Sequence, residues 1–464
     1  MKLSFLILMF YSVLNTVLGQ NKSYISTEKA ILDLEYMIKT IEEVHYNPYF
    51  KVKKEVVYQS KEALIADFDR DSIPLKQFVA AGMKIAAQMS GGHTMLDWQS
   101  RGILTDLKTE QFIPFTGELV GEEGKEQFVV TRSAIPEIKK GALIESINGI
   151  GIVELYEECQ SYFGGLESFK NTSSEKTLPM ILFFIDKVTA PYHIKWKGLE
   201  EEFETEGVDL SELISFITQN QVKENYTFEV LEDQIGFLSY NSCTDKKGFK
   251  KFLKQTFKRL KKENINQLII DIRANGGGNS SLNDLLLSYI TKKAYRQSSG
   301  RYWKVSKQAQ LGYQNTIHEK SFGKKFMKRY LAAEDQSILE SEEYTLNRPK
   351  SPLNYFKGNT CFLIGPNTFS SANFLADAVK TYQLSTLIGV ATGEYTNDFG
   401  EQLSFALPHS GHYIYVSSTY DIGTKGNFTL FEPVYPDIKV EEKVLQFAID
   451  WMKKTVKSGL GSAE

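Results

Sequence analysis

From about residue 225 onward the chain alternates short apolar runs with amphipathic segments, and this pattern constrains its fold more than any other feature. Gln234-Ile235-Gly236-Phe237-Leu238-Ser239-Tyr240 reads as a strand, and residues 247–263 read as a helix. That helix carries Phe249, Phe252, Leu253, Thr256, Phe257 and Leu260 on one face and lysines on the other. Leu268-Ile269-Ile270-Asp271-Ile272 is a second strand, followed by a helix from Leu282 to Ile290. Strand 360–364, helix 370–382 and strand 385–390 then complete the pattern. Such alternation requires crossover connections and therefore a largely parallel sheet.

The earlier part of the chain reads differently. Residues 25–90 are helical in pattern, with Ile31, Leu34, Ile38 and Ile41 at helical spacing. Ser72-Ile73-Pro74 opens a second helix that stops at Gly91-Gly92, directly before His93. Residues 101–200 are mostly strand-like, with short strands around 127–131 and 142–149. The polar stretch 165–178 and the acidic run 199–206 read as loops, and 295–355 as a long polar, aromatic insertion. At 464 residues, and with about 150 residues per domain, roughly three units are expected. The divisions expected are 1–19, an N-terminal helical domain over 20–100, a β-rich module over 101–224, an α/β core over 225–445 and a C-terminal helix and tail over 446–464.

The opening segment, Lys2 followed by an apolar run and Val17-Leu18-Gly19, reads as a cleavable secretory signal cut after Gly19. Export to a periplasm or the cell exterior is expected. No later apolar stretch is long enough to span a bilayer. The net charge of −3 gives no electrostatic reason to expect a nucleic-acid partner. The three cysteines, Cys159, Cys243 and Cys361, form no disulfide framework, and Cys361 reads as a small buried hydrophobe. With no CxxC or HExxH pattern, no metal is indicated; the His409/His412 pair reads as a surface hairpin and His45 as structural.

Three short segments bear reactive groups. Arg273-Ala274-Asn275-Gly276-Gly277-Gly278 joins a buried strand to a helix, and its glycines expose N–H groups that can bind a phosphate or an oxyanion, or simply form a tight turn. Thr368-Phe369-Ser370-Ser371-Ala372 also lies between strand and helix, where a serine is either a nucleophile at the sheet edge or a helix N-cap. His93 after its two glycines either accepts a proton or is structural.

Taken together, these segments resemble peptidase family S41, the tail-specific or C-terminal-processing proteases, and more closely the Ser–His branch with tricorn-type proteases and the interphotoreceptor retinoid-binding protein. The resemblance rests on Leu268–Gly278, Thr368–Ala372, Leu387-Ile388-Gly389, Pro436–Val440, Gly91-Gly92-His93-Thr94 and His45-Tyr46-Asn47-Pro48-Tyr49. It implies a crotonase/ClpP-like parallel-sheet core, an N-terminal helical domain and a PDZ-like module around Ile147-Asn148-Gly149. Carried over, Ser370 is the nucleophile, His93 the general base, and the amides of Ser371 and of Gly276 or Gly277 the oxyanion hole. Where the tail-specific branch has a lysine about 25 residues after the serine, this chain has Tyr395. The Ser–His branch has a glutamate about six positions before the terminal Pro-Asp. Leu430 stands there, so Glu432, on the same face of a strand, is assigned as the acid that orients His93. The implied activity is hydrolysis of peptides or unfolded protein tails through an acyl-enzyme, with no cofactor. The alternatives are an inactive binding protein on the same scaffold, with the aromatics of the insertion (Tyr295, Tyr302, Trp303, Tyr313, Phe322, Phe326, Tyr330) lining a cleft or packing a lid, and a crotonase-like acyl enzyme requiring coenzyme A.

Overall fold

A computed structural model describes residues 23–89, 91–122, 124–218, 224–314, 322–341 and 345–457. The signal-like segment 1–19 lies outside them. The expected parallel sheet is present. Its strands run in the order Tyr226–Leu231, Ile235–Tyr240, Gln267–Asp271, Asn359–Ile364, Thr386–Gly389, Ile438–Lys439. The first pair is antiparallel and every later pair parallel.

Both faces of this sheet are buried, which is why its strands read as unbroken apolar runs rather than alternating ones. Leu268 and Ile270 pack with Phe249, Leu253, Phe257, Leu286 and Leu375 from helices Lys246–Lys262, Ser281–Ile290 and Ser371–Thr381. Ile269 points to the other face, where it meets Val444, Ala448 and Met452 of helix Val444–Lys457.

Three helices, Thr27–Val44, Lys54–Ala66 and Leu75–Gln88, occupy the N-terminal region. A separate antiparallel sheet follows, ordered Phe115–Val120, Gln127–Ser133, Leu143–Ile147, Tyr192–Trp196, Glu202–Thr205. Asn148-Gly149 turns the chain with positive φ at both residues, +49° and +77°, as a tight hairpin turn requires. Two expectations fail here. The polar stretch 165–178 lies mostly in helix Glu167–Leu182, because the last five residues of that helix, Leu178–Leu182, are apolar and buried. The acidic run 199–206 contains strand Glu202–Thr205, paired with Tyr192–Trp196.

The element that creates the site is a second, smaller antiparallel sheet. It runs Ile338–Glu340, Gly300–Lys304, Tyr413–Ile422, Asp398–Ala406. The short strand Met95–Leu96, just after His93, pairs with the start of Tyr413–Ile422, Leu96 opposite Ile414 and Met95 opposite Tyr415. The opening quarter of the chain is thereby fastened to its last quarter. The insertion supplies strands to this sheet, and its aromatics pack on one another and on the N-terminal helices. Trp303 sits 4.7 Å from Phe322 and 4.9 Å from Phe326 between ring centroids, and Tyr313 and Tyr330 are fully buried. These rings form core, not the wall of an open cleft.

Candidate active site

Ser370 precedes helix Ser371–Thr381 at φ +53°, ψ −124°. A left-handed φ at a residue with a Cβ costs about 1–3 kcal/mol and persists only where surrounding structure enforces it. The Ser370 side chain makes no capping hydrogen bond, so the N-cap alternative does not hold. Its neighbour Ser371 donates its hydroxyl proton to Gly278 O at 2.6 Å, which ties the turn to the glycine loop. The two loops are also joined by Phe369 N–H donating to Asn275 O at 3.0 Å.

Gly277, at φ +96°, passes so close to the serine that a Cβ there would lie 2.6 Å from Ser370 Cβ and 2.9 Å from Ser371 N. Only glycine permits this approach. Of the two glycine amides considered for an oxyanion hole, that of Gly277 is already committed, donating to the buried Asn275 Oδ1 at 2.9 Å. The Gly276 N–H has no partner among the described residues. Ser371 N–H opens its helix and is one of the donors a helix leaves unsatisfied. Gly276 and Ser371 are therefore the free pair.

His93 reaches the site from the N-terminal region, and its ring lies 4.8 Å from the Phe369 ring. Gly92 lets it do so: a Cβ there would meet Phe369 Cζ at 2.8 Å. The Gln402 side-chain amide donates to His93 O. His93 Nδ1 lies 3.1 Å from Asp398 Oδ2 in hydrogen-bonding geometry and 3.1 Å from Glu394 Oε1. The other oxygen of Glu394 accepts the N–H of Ser370. One carboxyl group thus touches both the imidazole and the backbone of the serine. His93 and Ser370 are 277 positions apart in sequence and converge on it.

The two acids are 5% and 6% exposed. Burial, with the Asp398 charge beside it, pushes the Glu394 carboxyl well above the usual range. Burial also pushes Asp398 up, but the Glu394 carboxyl and the His93 imidazole beside it outweigh burial and hold the group below its ordinary value. Glu394 is thus pushed toward its neutral form and Asp398 toward its charged form, and the His93 tautomer that donates Nδ1–H to Asp398 is the one that leaves Nε2 able to accept a proton.

Glu432 is not brought to His93. Its side chain is exposed, and its contribution is through the backbone: Glu432 O accepts the N–H of Thr396 at 2.8 Å and so steadies the loop that carries Glu394. Strand alternation would put Glu432 on the site face, but residues 430–436 form no strand apart from a single bridge at Pro433. The carboxyl groups that do lie beside His93, Glu394 and Asp398, flank the Tyr395 position in Thr392-Gly393-Glu394-Tyr395-Thr396-Asn397-Asp398. Two carboxylates four residues apart in a Gly/Thr/Asn-rich turn were the available signal.

The remaining candidates lie apart from the chemistry. His45 is fully buried beside Phe399, with Asn47 N–H donating to its Nδ1 at 3.0 Å; burial drives its pKa down to about 3. His412 is not on the surface as expected. It is 2% exposed, and among the described residues neither ring nitrogen has a hydrogen-bond partner. The three cysteines are free and buried. Among the described residues, no helix is long and apolar enough to cross a membrane.

Comparison with known proteins agrees with this architecture. The sequence comparison finds no match among curated proteins. Among solved structures the chain is similar to mature CPAF complexed with lactacystin, at TM-score 0.58 and 13% identity over 93% of this chain and 97% of that one. It is also similar to a serine-to-alanine mutant of CPAF, at TM-score 0.62 and 13% identity over 92% and 96%. At that identity the likeness is one of fold. Residues 234–440 match the family model Peptidase family S41, a span that runs from strand Ile235–Tyr240 to strand Ile438–Lys439 and includes Ser370, the glycine loop, Glu394 and Asp398. Over that segment the chain matches peptidase family S41.

Proposed function

We propose that this peptidase is a serine hydrolase that cleaves peptides or unfolded protein tails through an acyl-enzyme. The single observation that carries the reading is the Glu394 carboxyl group, which contacts both His93 Nδ1 and the N–H of the strained Ser370. In this mechanism Ser370 Oγ attacks the scissile carbonyl while His93 Nε2 takes its proton. Asp398 fixes the tautomer and stabilises the imidazolium that forms. The N–H groups of Gly276 and Ser371 receive the oxyanion, each worth about 3 kcal/mol in the transition state. His93 then returns the proton to the leaving amine, and water repeats the sequence to release the acyl group.

Glu394 stays protonated in this scheme and acts as a brace, holding the serine turn and the histidine at fixed separation. The antiparallel sheet between residues 115 and 205, within the expected PDZ-like unit 101–224, offers strand edges on which an extended peptide could add. Residues 1–19 serve as a cleaved export signal in this reading, and the mature enzyme acts in a periplasm or outside the cell.

The test is hydrolysis of a denatured, fluorescently labelled protein by wild type, Ser370→Ala and His93→Ala. Cleavage by wild type alone supports the reading. Equal cleavage by wild type and Ser370→Ala refutes it.

A further inference from the structure

The acid pair beside His93 offers more donor atoms than proton transfer uses. His93 Nδ1 lies 3.1 Å from Glu394 Oε1 and 3.1 Å from Asp398 Oδ2, and all three atoms fall within 4.8 Å of one another. In a tetrahedral zinc site the N and O ligands sit about 2.0–2.1 Å from the metal, which puts neighbouring donor atoms about 3.3 Å apart. Two edges of that figure are already close to this spacing.

A second observation points to an ion at the same place. Glu394 is 5% exposed, and its Oε1 has no hydrogen-bond partner among the described residues. His93 Nδ1 is in hydrogen-bonding geometry with Asp398 Oδ2, whereas Glu394 Oε1 lies 3.1 Å from the same nitrogen without that geometry. A buried carboxyl oxygen left unpaired is costly, and a cation between the three groups would satisfy it. One imidazole with two carboxylates is a zinc donor set; magnesium and calcium favour oxygen alone.

Resting on the assignment of His93 as the base, we infer that His93 Nδ1, Glu394 Oε1 and Asp398 Oδ2 form an inhibitory site for Zn2+. The ion takes the Nδ1 lone pair, and the ring proton moves to Nε2. The proton carried by Glu394 passes to water. Nε2, now protonated, cannot accept the serine proton, and hydrolysis stops. A water or a substrate oxygen completes the tetrahedron.

Binding is measured without activity, by calorimetric titration of Zn2+ into the Ser370→Ala protein at pH 7.5. One site of micromolar affinity or tighter is expected. Glu394→Gln and Asp398→Asn in that background, checked for folding by circular dichroism, weaken it at least tenfold, and Mg2+ does not compete. In the active enzyme the same Zn2+ concentrations abolish hydrolysis, and EDTA restores it. Zn2+ affinity unchanged by both substitutions, or hydrolysis unchanged or stimulated at saturating Zn2+, overturns the inference. A wild type that binds Zn2+ through these groups yet hydrolyses nothing overturns the peptidase reading and keeps the metal site.

Discussion

Replacing Asp398 by asparagine isolates the role of the charge next to His93. The amide keeps the shape but removes the anion 3.1 Å from Nδ1. In a serine–histidine mechanism, loss of the orienting anion lets the wrong tautomer dominate and costs about 10⁴ in rate, or about 5 kcal/mol at 1.36 kcal/mol per tenfold. This site should lose less, because Glu394 Oε1 is also 3.1 Å from Nδ1. Glu394 is neutral partly because Asp398 is charged beside it. Once that charge is gone Glu394 ionises more readily and takes over part of the role. The expected loss for Asp398→Asn alone is therefore about 10²–10³, and only the double variant with Glu394→Gln reaches about 10⁴. Glu432→Gln should react as wild type, since its exposed carboxylate is not at the site. The assay is the second-order rate of labelling by a fluorophosphonate, which reads activation of the serine without needing the natural substrate. Wild-type rates in both Asp398→Asn and the double variant, or a large loss in Glu432→Gln, would refute the reasoning.

Three further outcomes follow from the same geometry. Gly277→Ala places a methyl 2.6 Å from Ser370 Cβ at a φ of +96°, so labelling should fall about 10²-fold from displacement of the nucleophile, with a lowered melting temperature; equal rates in the variant would contradict the packing. Ser370→Gly relieves the positive φ and should raise stability by about 1 kcal/mol while abolishing activity, as seen in urea unfolding. His412 is buried and neutral, with its pKa lowered by burial to about 4 despite the nearby Asp33. A depressed pKa gives stability that is complete above pH 6.5 and is lost as pH falls toward 4, here by about 3 kcal/mol. His412→Phe should flatten that part of the stability–pH curve, and an unchanged acid slope would count against it.

The parallel core was legible because its strands are buried on both faces and its helices are strongly amphipathic; Leu268–Ile272 and the lysine-backed helix from 246 carry the signal almost alone. Helix Glu167–Leu182 was not, because its first half is polar and only tertiary contact decides its state. Ser370, His93 and the glycine loop could be read locally, since each follows a turn whose glycines or serines are unusual. The acids could not. They depend on how the turn 392–397 folds back on residues 430–434, where Thr392 N–H donates to Val434 O and Thr396 N–H to Glu432 O, and on Asp398 beginning a strand opposite Asp421. Local periodicity has no access to such long-range contacts, and strand parity points to Glu432 in a segment that is not a strand. The same limit applies to the oxyanion donors, where only the Asn275 contact distinguishes Gly276 from Gly277.

The central claim is that His93 activates Ser370 within one shared site. Peptide-mapping mass spectrometry after fluorophosphonate treatment tests it most directly. The adduct should appear on the peptide containing Ser370 and nowhere else, and should be lost in His93→Ala protein that remains folded by circular dichroism. An adduct on another residue, or full labelling of Ser370 without His93, would contradict it.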